Sequence, residues 1–221
     1  MKILAKTLSI LVTICIPFFL LMGSISILLN PFFLDYEYNL PAFPVDDFGF
    51  STADRLKWGK ISLDYLTNNE SDAYLGTLKF EDGSPLYNER ELSHMLDVRL
   101  LVKAALGAWY LVTAFLILIG LFSWKLGRTN EYGKAISRGG WLTLGLILAI
   151  LAAVLIDFNS LFAGFHAIFF KGDTWLFFTN DTLIRLFPEK LWSDAFIYMG
   201  VFTLVGAVIF AIVVGRLSQK D

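Results

Sequence analysis

The chain has only two histidines, His94 and His166, and their surroundings differ. His94 stands in "ELSHMLD", with Glu91 three residues before it and Asp97 three after, so on a helix the three side chains share a face. A carboxylate beside an imidazole can fix its tautomer and favour its protonated form. His166 stands in "GFHAIFF", flanked at helical spacing by Phe158, Phe162, Phe165 and Phe169, with Phe170, Trp175, Phe177 and Phe178 following. Each pattern also has a plain reading. Acids at a helix start complement its dipole, and a ring-rich stretch can be an interfacial aromatic belt around a packed histidine.

Other chemistries fare less well. Zinc could be held by the two histidines with Asp97 or Asp181, but no HExxH and no diagnostic ligand spacing occurs. Haem would need axial ligands inside a helix bundle. The sole cysteine, Cys15, excludes an intramolecular disulfide and a multi-cysteine metal cage. No serine has a G-x-S-x-G setting. Acid–base catalysis by paired histidines suits a reaction in which the substrate brings its own nucleophile. A haem or metal protein and a non-catalytic membrane adaptor stay open as alternatives at this level.

These residues must be carried by membrane spans. Only 17% of residues are charged and 56% are hydrophobic, against about 25% charged in soluble domains. Four apolar blocks account for the deficit, at 7–29, 104–123, 141–160 and 196–216. Each is close to the ~20 residues needed to cross a bilayer core. The expected class is an all-α membrane protein of four transmembrane helices with a small extracytoplasmic cap. Lys2 and Lys6 precede the first block as in a signal peptide, but the apolar run is too long and no A-x-A site follows, so it reads as an uncleaved span. The segment 124–140 reads as a cytoplasmic loop, with Lys125, Arg128, Lys134 and Arg138 against Glu131 alone. Lys2, Lys6, Arg216 and Lys220 put both termini on the same side. The acidic segments 30–103 and 161–195 then face outward. No basic stripe suits a nucleic acid.

Within the cap, "NPFFLDYEYNLPAFPVDDFGF" reads as an extended stretch on the membrane surface. "STADRLKWGKISLDYL" reads as a helix with Ser51 and Asp54 as a capping pair. Asp82-Gly83 reads as the turn of a short β-hairpin. Asn88 and Glu91 form a second capping pattern, from which one helix should run through His94 into the second span. Ala104 lies ten residues beyond His94, or about 15 Å, and the third span ends near His166, so both histidines belong to the outer side.

"ELSHMLDVR" before the second span, "FHAIFF" and "DTWLFFTNDTLIRLFPEKLW" after the third, and "LNPFF" after the first resemble the lipoprotein intramolecular transacylase family of Gram-positive bacteria. The likeness extends over nearly the whole chain. It implies acyl transfer from the sn-2 ester of a diacylglyceryl lipoprotein to the α-amine of that lipoprotein's N-terminal cysteine, giving the lyso form. It also implies that His94 and His166 are catalytic. Phe165, Phe169, Phe170, Trp175 and Phe178 would wall in the acyl chains, while Asp181 and Arg185 would support the glyceryl or peptide portion. Ester-to-amide conversion is downhill, so no cofactor is expected. Glu91 and Asp97 make His94 the favoured base, with His166 as the neutral donor.

Overall fold

The computed structural model describes residues 2–218; Lys220 and the side chain of Lys2 lie outside what it describes. It is 77% helical, with no named strand among the described residues. The helices are α1 (Lys2–Leu28), α2 (Pro31–Tyr38), α3 (Thr52–Thr67), α4 (Glu89–Lys125), α5 (Thr129–Phe169), α6 (Thr182–Leu186), α7 (Glu189–Val208) and α8 (Gly215–Leu217), with a π-helical segment at Ile209–Val214. Four are long and apolar enough to cross a membrane: Ile3–Leu28, Glu89–Lys125, Thr129–Phe169 and Glu189–Leu217. The protein is a multi-pass membrane protein.

The chain divides into two compact units. The first comprises Met1–Ser26, Ala105–Ile156 and Phe196–Asp221. Its core joins Val12, Ile16, Leu116 and Ala135 with Phe19, Leu20 and Phe210. Apolar burial gives little drive where the solvent is lipid, so close backbone approach and interhelical hydrogen bonds must do more. Gly139 and Gly140 supply the first. A Cβ on Gly139 would lie 2.5 Å from the Ile16 Cβ, and one on Gly140 2.5 Å from the Ala211 backbone nitrogen. Thr13 donating to the Ala135 carbonyl, Trp109 to that of Phe19 and Thr203 to the Ser24 hydroxyl supply the second.

The turn between α4 and α5 is shorter than the expected loop at 124–140, spanning only residues 126–128. Gly127 adopts a left-handed φ of 66°, and the Arg128 N–H reaches back to the Ser123 carbonyl, a closure that ends one helix and lets the next begin at once.

The second unit comprises Ile27–Ala104 and Asp157–Ala195. Its first element corrects the extended reading of 30–50, because Pro31–Tyr38 is helical. Asn30 caps the Phe32 N–H and Pro31 occupies a position where its missing N–H costs nothing, while Phe33, Leu34, Glu37 and Tyr38 form the buried face. The Ser51–Asp54 capping box on α3 is present with both bonds. Arg99, 3% exposed, closes the other end of α3 by donating to the Tyr65, Asn68 and Glu70 carbonyls. Around Asp82-Gly83 the chain reverses, with a single antiparallel bridge between Lys79 and Pro85.

Candidate active site

Both histidines belong to the second unit and are 8% exposed. Their rings lie face to face, with centroids 6.0 Å apart and planes 24° from parallel. His94 also meets the edges of Phe170 at 4.9 Å and Phe177 at 5.3 Å. His166 contacts Phe162 at 4.1 Å, Trp175 at 4.8 Å, Phe170 at 5.4 Å and Phe165 at 5.6 Å. Phe170 therefore touches both imidazoles.

The two rings differ in their hydrogen bonds. His166 Nδ1 lies 2.8 Å from the Phe162 carbonyl oxygen one turn earlier. A carbonyl only accepts, so Nδ1 carries the hydrogen and the neutral ring keeps its lone pair on Nε2. His94 Nδ1 is buried and has no hydrogen-bond partner. A buried polar atom without a protein partner is costly, so His94 Nδ1 has hydrogen-bonding capacity to spare.

The carboxylates expected to hold His94 do something else. Glu91 is 2% exposed and accepts the Asn88 N–H at 2.8 Å and the Leu183 N–H at 2.7 Å. Asn88 returns the favour through its side chain, which accepts the Glu91 N–H at 3.0 Å. Glu91 thus starts α4 and binds it to α6, whose sequence lies far downstream. Asp97 is exposed, and no hydrogen bond joins it to His94. Asp181 extends the same junction, accepting from the Asn88 side chain at 3.0 Å and the Phe178 N–H at 2.8 Å. Thr182 donates to the Leu86 carbonyl. These polar groups hold together the segments that bear His94 and Phe177.

Arg185 pairs with Asp46 at 3.0 Å and lies over the Phe50 ring at 3.6 Å. Burial works against the Asp46 charge, but hydrogen bonds from Arg185 and from the Phe50 N–H, with the guanidinium charge, hold its carboxyl below the usual range. Phe169 packs on Phe165, and Phe178 under the Arg90 guanidinium, so neither makes a ring contact with a histidine. Phe162 and Phe177, which the aromatic spacing put in the cluster but not among the site residues, do contact them. Phe162 was findable as the residue four before His166; Phe177 had no comparable signal. No group of three or more His, Cys, Asp or Glu residues able to hold a metal occurs among the described residues. Cys15 lies in the first unit.

The long apolar helices define the class as an integral membrane protein, with two imidazoles buried in one ring cluster. Comparison with known proteins makes this particular. The family model for the lipoprotein intramolecular transacylase Lit matches residues 10–192. The chain belongs to that family and is an acyltransferase. It is 25% identical over 215 residues to an uncharacterized protein of Aquifex aeolicus (strain VF5), covering 97% of this chain and 96% of that one. Its fold is similar to the in meso structure of the membrane-integral lipoprotein intramolecular transacylase of Bacillus cereus, with a TM-score of 0.82 at 19% identity, covering 100% of this chain and 98% of that one. A structure of the Bacillus cereus protein with one histidine replaced by alanine matches with a TM-score of 0.72 at 20% identity, covering 99% and 96%.

Proposed function

We propose that the chain moves the sn-2 acyl group of a diacylglyceryl lipoprotein onto the α-amine of that lipoprotein's N-terminal cysteine, with His166 as base and His94 as hydrogen-bond donor. The observation that carries this reading is the stacked imidazole pair with one ring nitrogen committed and another unpartnered. The hydrogen on Nδ1 leaves His166 Nε2 as the acceptor. An α-amine has an ordinary pKa of about 8 and attacks an ester only when neutral. As the amine nitrogen bonds to the ester carbon, its proton passes to Nε2, and the carbonyl oxygen becomes an oxyanion. His94, protonated at Nδ1, supplies a hydrogen bond to that oxygen, satisfying the atom that lacks a partner. Collapse breaks the bond to the glyceryl oxygen, which takes the proton back from His166. Amide forms, ester breaks, and both histidines end as they began.

The base is therefore His166, not His94, because the carboxylates that favoured His94 in the sequence are bonded elsewhere or exposed. Amine and ester belong to one molecule, so the larger part of the barrier is conformational. Effective molarities of well-oriented intramolecular reactions reach about 10⁵–10⁸ M. Phe162, Phe170, Phe177 and Trp175 provide rigid apolar walls for that folding, with Phe165, Phe169 and Phe178 at the exposed margin.

The basic residues Lys125, Arg128, Lys134 and Arg138 support an orientation with both termini cytoplasmic and the histidines on the outer face. The test replaces each histidine with Asn and analyses the N-terminal peptide of a lipoprotein by mass spectrometry. Folded, inserted variants should lose N-acylation. Retained N-acylation in both would refute the reading.

A further inference from the structure

We infer that Asp157 is a positioning residue for the reaction, because its side chain starts the helix that carries His166. The inference rests on the proposed role of His166. Although α5 runs from Thr129 to Phe169, Asp157 inside it has φ −157° and ψ 87°, which is not helical. One helix ends there and another begins. Sharp breaks usually trace to proline or glycine, yet neither occurs between Gly145 and Gly164. Residues 146–156 are all Leu, Ile, Ala or Val and contain nothing that would stop a helix.

Asp157 itself has the geometry of an N-cap. Its Oδ1 accepts the backbone N–H of Ser160 at 3.0 Å, and its Oδ2 accepts the Ser160 hydroxyl at 2.5 Å. An N-cap residue takes extended φ/ψ while its side chain satisfies the N–H three residues on, which is the relation of Asp157 to Ser160. Asp157 and Ser160 are both exposed, so core packing does not impose these bonds. The local sequence "DFNS" does.

From this start the helix has about two turns before it reaches His166. Everything that defines His166 depends on that register: the Nδ1 bond to the Phe162 carbonyl and the ring contacts to Phe162, Trp175 and Phe170. Asp157 acts through His166 and touches no reacting atom.

The test compares Asp157→Asn and Asp157→Ser, which keep a short capping acceptor, with Asp157→Ala and Asp157→Gln, which do not. Each full-length chain is purified and assayed for kcat and KM of lipoprotein N-acylation. Melting temperature and the ¹⁵N NMR signature of the His166 Nδ1–H tautomer are recorded beside them. A misplacement of about 1 Å costs up to roughly 100-fold in rate, so Ala and Gln should lose about 10–100-fold in kcat. Their KM and melting temperature should stay near those of the natural chain, and the Nδ1–H signal should weaken. Asn and Ser should restore most of the rate. Ala and Gln within about twofold of the natural kcat would overturn the inference, as would Asn falling as far as Gln. Loss of folding in Ala and Gln would also overturn it, by making Asp157 a stability residue. His166→Asn is run in parallel. If it turns over, the base assignment fails; if it is dead while Asp157→Ala is active, only the role of Asp157 fails.

Discussion

His94 and His166 share one aromatic cluster and the same degree of burial, yet only His166 has a ring nitrogen tied to the backbone. Sequence context suggests the reverse, since His94 has acids on both sides and His166 has only rings. The difference shows that a carboxylate's place in sequence says little about which donor it will satisfy. Glu91 lies within reach of a helix start, where backbone N–H groups lack partners, and those groups claim it. The ring in the apolar setting takes its orientation from a carbonyl four residues earlier.

The contrast is broken most directly at the imidazoles. His166→Asn removes the proposed base, which an amide cannot replace, and should lower the rate by up to about 10⁴-fold. His94→Asn leaves a side chain that can still donate, so its loss should be smaller, about 100-fold. Equal losses, or the opposite order in single-turnover N-acylation, would overturn the assignment of roles.

Glu91→Ala tests whether Glu91 serves the backbone and not His94. It strands the Asn88 and Leu183 N–H groups and should cost about 3 kcal/mol of stability, while Glu91→Gln, which still accepts, should cost less. A pH–rate profile that moved in Glu91→Gln without a change in melting temperature would restore Glu91 as a partner of the ring.

Asp46→Asn removes the partner of Arg185 on a segment that bears no histidine and should cost about 1–3 kcal/mol in thermal unfolding at neutral pH. The folded Asp46 carboxyl titrates below the ordinary value of about 4, so its contribution is complete above that value and fades as pH falls through the lowered one. The gap between Asp46→Asn and the natural chain should therefore close in acid. The smallest effect belongs to Asp97→Asn. As an exposed residue without a bond to His94, it should change stability by less than about 0.5 kcal/mol and leave kcat/KM nearly untouched.

Local signals were readable where both partners lie within one turn. The capping pairs Ser51–Asp54 and Asn88–Glu91, the four apolar runs and the helical spacing of Phe162 before His166 all belong to this kind. The helix at Pro31–Tyr38 departs from the extended reading because Asn30 caps the Phe32 N–H and Pro31 stands in the first turn, where a missing N–H costs nothing. The joint of Glu91 with Leu183 was out of reach, since no local pattern tells a carboxylate which distant N–H will come to it. The family resemblance singles out the histidines as candidates but says nothing of their tautomers.

The Glu91–Leu183 bond also sets an order of events. A growing chain has made both histidines by residue 166, but the second N–H that Glu91 accepts does not exist until residue 183. Phe177, at the edge of His94, comes after both. The imidazole pair is thus finished only when the stretch after the third apolar helix has been delivered to it. A chain stopped just past His166 would hold both histidines but neither the Leu183 N–H nor the Phe177 ring that complete their surroundings.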